Sequence, residues 1–176
     1  NTSLGAGGGL NPDNGTVLTV WTSCYQSIAR CNSVLDGSEP FLNTLTPKAK
    51  QYLAEIRVIK AFMYSNLVAL YGDIPLYKNA VTSGKDKVSR TPQKEVYDYI
   101  ISELDAASTD LAWKSDQWGR VNKTFAQGLK ARVALMAGSL NVGEKSSDYL
   151  KIARDAAKNV MDNSGRSLNP SFEALF

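Results

Sequence analysis

The chain has 176 residues, 43% hydrophobic and 21% charged, with a formal net charge of +3, ordinary globular values that exclude wholesale disorder and leave enough chain for a substantial core. No apolar run reaches the roughly 18 residues that cross a bilayer, and lysines and arginines are interleaved with acids rather than massed, so nucleic acid is not implied. Histidine is absent, which removes Ser-His-Asp and Cys-His mechanisms, histidine-ligated zinc and the usual general base together, so neither catalysis nor a metal or other cofactor is expected.

Residues 1–15 carry five of the thirteen glycines with the turn signals Asn11-Pro12 and Asn14-Gly15, a loop without the preceding strand that a phosphate cradle needs. A first helix is predicted from about Thr16 to Leu35, carrying Trp21, Tyr25, Ile28, Asn32 and Leu35 at helical spacing and ended by Gly37. Cys24 and Cys31 lie seven residues apart on it. That is roughly 10 Å of helical rise, beyond disulfide reach, so both are expected as unbridged core packing.

Thr46-Pro47 reads as an N-cap and first-turn proline opening a long second helix, with Ile56, Ile59, Phe62, Met63, Leu67, Leu70 and Tyr71 on its apolar face. Gly72 should stop it in a positive-φ conformation, and Asp73-Ile74-Pro75 turns the chain into an extended segment with a short strand at Ile74 to Tyr77. Thr91-Pro92 repeats the cap-and-proline device before a third helix, about Pro92 to Thr109, which buries Val96, Ile100, Leu104 and Ala107 and exposes Lys94, Asp98, Ser102 and Asp105. A fourth runs from about Asn122 to Leu140 with a small-residue face of Ala126, Gly128, Ala131, Ala134 and Ala137. A fifth, about Ser147 to Asn163, buries Tyr149, Ile152, Ala153, Ala156, Val160 and Met161. The fold class is therefore all-α with at most a small strand element.

Candidate chemistry is sparse. Glu103 and Asp105 stand two apart on a helix and point to different faces. Gly138-x4-Gly143-Glu144-Lys145-Ser146 has a glutamate interrupting the Gly-Lys-Ser of a P-loop and a helix before it, so it is rejected. Glu55, Arg57, Lys60, Lys130 and Arg132 read as a solvated helix face with intrahelical pairs, or as a partner surface. Trp113, Trp118 and Arg120 fall in the non-periodic stretch 110–121, where the tryptophans are either tucked-in loop anchors or ligand platforms, and Arg120 either meets a ligand or caps a helix. With Asn11 and Asn14 of the glycine-rich start, these are the candidate ligand-binding residues.

Lys60-Ala61-Phe62-x-Tyr64-x2-Leu67, followed by Tyr71-Gly72-Asp73-Ile74-Pro75-Leu76, resembles the second helix of SusD/RagB-type outer-membrane nutrient-binding lipoproteins. Trp21-x3-Tyr25-x2-Ile28-x3-Asn32-x2-Leu35 precedes it in the same order, and Val96-Tyr97-x2-Ile100-Ile101-x2-Leu104-x-Ala106-Ala107 follows. Gly119-Arg120-Val121-Asn122-Lys123 with Ala126-x2-Leu129-x-Ala131-Arg132-Val133-x-Leu135 completes the set. A weak internal repeat, Leu67 to Gly72 against Arg132 to Gly138, lies 65 or 66 residues apart, close to two tetratricopeptide periods of about 34.

The resemblance implies a tetratricopeptide-like helical array over residues 16–176, as part of a longer protein that is lipid-anchored on the extracellular face of the outer membrane through a cysteine outside this chain. It implies capture of glycans, or peptides in some members, for a SusC-like TonB-dependent transporter. The competing readings are a free-standing tetratricopeptide-like adaptor that binds a protein partner, and a hydrolase domain, which the missing histidine disfavours.

Overall fold

The computed structural model describes residues 15–81, 83, 88–143, 146–167 and 169–173. Five helices follow in chain order: α1 (Gly15–Ser38), α2 (Pro47–Tyr71), α3 (Gln93–Asp110), α4 (Lys123–Ser139) and α5 (Ser146–Asn163). Each packs on the next, which makes a helical array rather than a closed bundle. The one small sheet among the described residues is β1 (Ile74–Pro75) antiparallel to β2 (Arg90–Thr91), with Ile74 opposite Thr91 and Pro75 opposite Arg90. The expected strand is thus two residues long, because Tyr77 leaves the ladder to bond with side chains.

α2 is central, lying between α1 and α3. Thr46 caps it, accepting from the Ala49 N–H at 3.2 Å, with Pro47 in the first turn, and Gly72 ends it at φ +74°. Val58, Ala61, Tyr64, Leu67 and Val68 are buried, whereas Leu70 and Ile59, which share the apolar period, are exposed. Two boundary expectations fail. Gly37 does not end α1, which runs on to Ser38 and into a 3-10 turn at Glu39–Phe41. Thr91 does not cap α3, being a β2 residue. The cap comes from Asp73, whose Oδ1 accepts from the Gln93 N–H at 2.8 Å.

The exit from α2 is held by side chains. Tyr64 donates its hydroxyl to the Tyr77 carbonyl at 2.9 Å and accepts from the Tyr77 N–H at 2.8 Å. Asn32, 1% exposed, donates from Nδ2 to the carbonyls of Tyr77 and Asn79, both at 2.9 Å. Tyr25 donates to the Pro75 carbonyl at 2.7 Å. An irregular segment buried against helices needs such partners for its backbone, and the tyrosine and asparagine spacing on α1 and α2 supplies them.

Ala126, Ala134, Ala137 and Gly138 of α4 are all buried, and α5 approaches closely at Gly138. A Cβ at Gly138 would stand 2.7 Å from Leu150 Cδ2, and Ser146 donates its hydroxyl to the Gly138 carbonyl. Gly128, expected on this face, instead faces open space, and Met161 of α5 is exposed rather than buried. Cys24 and Cys31 are buried free thiols, and burial pushes both up in pKa.

Candidate functional site

The connection between α3 and α4, residues 111–122, is fixed at both ends. Leu111 is buried, the Lys123 N–H donates to the Ala112 carbonyl at 2.8 Å, and Thr124 donates its hydroxyl to the Trp113 carbonyl at 2.7 Å. Asn122 caps α4 by accepting from the Phe125 N–H at 3.0 Å. A third tether comes from α2: Arg120 donates to Glu55 through Nη2 at 2.6 Å and Nε at 3.3 Å, and its guanidinium centre lies 4.6 Å from the Tyr52 ring centroid. The hydrogen bonds to Glu55 raise the Arg120 pKa further. Arg120 therefore braces the loop on a neighbouring helix and leaves Glu55, which is buried, with a counter-charge.

Between these tethers Gly119 takes φ +83° and Trp118 is fully exposed. Trp118 stands at a cleft of about 690 Å³ whose lining includes Lys114, Gln117, Asn122, Phe125 and Arg166 as well as Arg120. Phe125 is steadied from beneath by Phe62, edge to face at 6.1 Å between centroids. Trp113 is half-buried outside that lining, with the Lys123 ammonium 5.6 Å from its ring centroid. The loop thus brings Trp118 and Arg120 to one cleft and sets Trp113 apart. Asn11 and Asn14 lie outside the described residues. Lys114, Phe125 and Arg166 were not singled out by sequence: the first two carry no local signal, and Arg166 reaches the cleft only because α5 returns the chain to this loop.

A second, polar cleft of about 580 Å³ opens where α1, α2 and α3 meet, beside Glu103. Arg57 reaches both Glu103 oxygens at 3.2 Å, and Lys60 reaches one at 3.5 Å and the Lys78 carbonyl at 3.4 Å. Lys60 is 2% exposed. Burial pulls its pKa down, opposed by the Glu103 charge. The expectation of a solvated face with intrahelical pairs is corrected here. Glu55, Arg57 and Lys60 pair with other elements, as does Lys130 with Asp105 at 2.6 Å, while Arg132 is exposed. Such partners are 25 to 65 residues apart in sequence, which helical spacing rules do not see. Glu103 turns to α2 and Asp105 to α4, so the two carboxylates do face apart.

No helix among the described residues is long and apolar enough to cross a membrane, and no group of three or more cysteine or carboxylate side chains there could hold a metal ion.

The sequence pattern of the SusD-like family described as "starch-binding associating with outer membrane" matches residues 2–135. The SusD-like protein P2 of Formosa agariphila is 30% identical over 172 residues, which is 95% of this chain and 32% of that protein. A SusD superfamily protein of Parabacteroides distasonis superposes with a TM-score of 0.77 at 32% identity, over 89% of this chain and 33% of that one. A crystal structure with xylogluco-oligosaccharide gives a TM-score of 0.76 at 26% identity, over 89% of this chain and 32% of the other. The chain therefore spans about a third of the length of each of these three relatives. With its helical array and a family pattern that matches residues 2–135, the chain belongs to the SusD-like family.

Proposed function

We propose that this chain forms part of a nutrient receptor on the extracellular face of the outer membrane, which binds a glycan and delivers it to a SusC-like TonB-dependent transporter. The observation that carries the reading is the fully exposed Trp118 on a loop tethered at three points, beside polar side chains. Sugars present apolar C–H faces ringed by hydroxyls, so a site needs an aromatic plane and amide or hydroxyl partners held in place beforehand. Trp118 supplies the plane, Gln117 and Asn122 the amides, and Arg120 the brace. Trp113, outside this cleft, and Asn11 and Asn14 from the glycine-rich start are the proposed contacts for the remainder of the ligand. Family membership supports the class of ligand, since one similar structure is a crystal structure with xylogluco-oligosaccharide.

The site acts by binding, and turnover of a bound oligosaccharide is not expected. Titration of the whole protein with a panel of oligosaccharides tests the reading. Replacing Trp118 by alanine should weaken binding by about 0.5 kcal/mol or more while leaving the melting transition in place. A Trp118→Ala variant with unaltered affinity and lower stability would overturn the assignment. Co-purification in mild detergent tests the transporter, and repeated recovery of the protein alone would count against it.

A further inference from the structure

We infer that the cleft beside Trp118 is built for an acidic glycan, with a sugar-borne anion seated between Lys114 and Arg166. This rests on the glycan-binding reading of that cleft and names its ligand class. The lining contains three basic side chains, Lys114, Arg120 and Arg166, and no carboxylate. Arg120 is spent on Glu55. Lys114 and Arg166 have no acidic partner among the described residues.

Both cations line the same cleft. The Lys114 ammonium lies over Gly165, 3.3 Å from where a Cβ would be, so it sits beside the backbone that carries Arg166. That glycine has φ +62° and, without a side chain, leaves room for the Lys114 ammonium against the backbone. Asp116 is the one acid between Leu111 and Asn122, yet it is exposed and outside the lining. Lys123 adds a further positive charge at the loop's far side, over the Trp113 ring at 5.6 Å.

Like charges brought together at a cleft repel, and an anion placed between them relieves that repulsion while a neutral sugar does not. Guanidinium recognises a carboxylate or sulfate through paired N–H groups, and ammonium adds a point charge. Trp118 and Phe125 then meet the apolar ring faces, and Gln117 and Asn122 meet hydroxyls. The shared ligand chemistry is a pyranose bearing a negative group, whether a uronate or a sulfate ester.

The test uses two matched probe pairs on the whole protein by calorimetric titration: oligogalacturonate against its carboxyl-reduced form, and a sulfated galactan oligosaccharide against its desulfated form. We expect the charged member of one pair to bind on the order of tenfold tighter, an advantage that shrinks as salt rises from about 0.05 to 0.5 M. The pair that shows it identifies a uronate or a sulfate as the anion. Lys114→Gln with Arg166→Gln should bring the charged probe down to the affinity of its neutral partner, with no change in the melting transition, since both side chains are exposed. Charged and neutral probes that bind alike, with binding weakened in Trp118→Ala, would overturn this inference and leave the glycan reading standing. A charge advantage that survives the double substitution would overturn it too. Absence of binding by all four probes would overturn this inference and leave the glycan reading to the wider panel, whereas binding untouched by Trp118→Ala would bring down both.

Discussion

Two connections between helices solve opposite problems. The exit from α2 (72–77) is drawn inward: Ile74 and Leu76 are buried, and its carbonyls are taken up by Tyr25, Asn32 and Tyr64. The loop between α3 and α4 is held only at its margins, and its middle carries Trp118 into solvent. In the first, hydrogen bonds and burial act on the same atoms, so the segment is part of the core. In the second, the fixings and the exposed group are different residues, so the middle can change chemistry without changing the fold. The difference separates a segment that specifies the array from one that displays a surface.

The strongest way to break this contrast is Asn32→Ala. It removes both amide donations to the Tyr77 and Asn79 carbonyls inside the core and should cost about 3 kcal/mol, read by denaturant unfolding. A loss below about 1 kcal/mol would mean that the exit is not clamped as described. Tyr64→Phe, which leaves the Tyr77 N–H without its partner, should cost about 2 kcal/mol in the same assay.

Tyr97 sharpens the point from the other side. Its ring is 1% exposed and its hydroxyl has no hydrogen-bond partner among the described residues. Tyr97→Phe should therefore stabilise the protein by about 1 kcal/mol, since it removes an unsatisfied buried group without disturbing packing. Alkaline titration adds a further test. Burial raises the pKa of Tyr25, Tyr64 and Tyr99 above the ordinary 10.0. Above pH 10 the unfolded chain releases these protons while the folded chain retains them, so stability should be full below that pH and fall as it rises. Tyr99→Phe should make that fall shallower in pH-dependent melting curves. The smallest expected effect is that of Trp118→Ala on stability, within about 0.5 kcal/mol, because the side chain is fully exposed.

Much of the array was legible because it is local. Apolar residues at three- and four-residue steps give the helices, Thr46-Pro47 gives the start of α2, and Gly72 gives its end. What escaped is what depends on distant partners. Thr91-Pro92 has the same letters as Thr46-Pro47, yet Asp73 reaches across to cap α3 because the short sheet brings β1 beside β2. Arg57 and Lys60 looked solvated because their carboxylate, Glu103, lies on another helix. At the candidate site, the tryptophans and Arg120 stood out by composition and loop position. That the guanidinium is used as a brace depends on Glu55, 65 residues away in sequence, which loop composition does not show.

The Arg120–Glu55 tether has a consequence for how such a surface can diversify. The loop's C-terminal margin is referenced to α2 through Arg120 as well as to α4 through the Asn122 cap, so residues 114–118 lie between fixed posts. Lengthening that stretch costs little closure entropy, about 0.6 kcal/mol per doubling, and leaves the posts where they are. It is therefore a natural graft point, at which the five residues from Lys114 to Trp118 could be exchanged for a different display while the array and its register stay untouched.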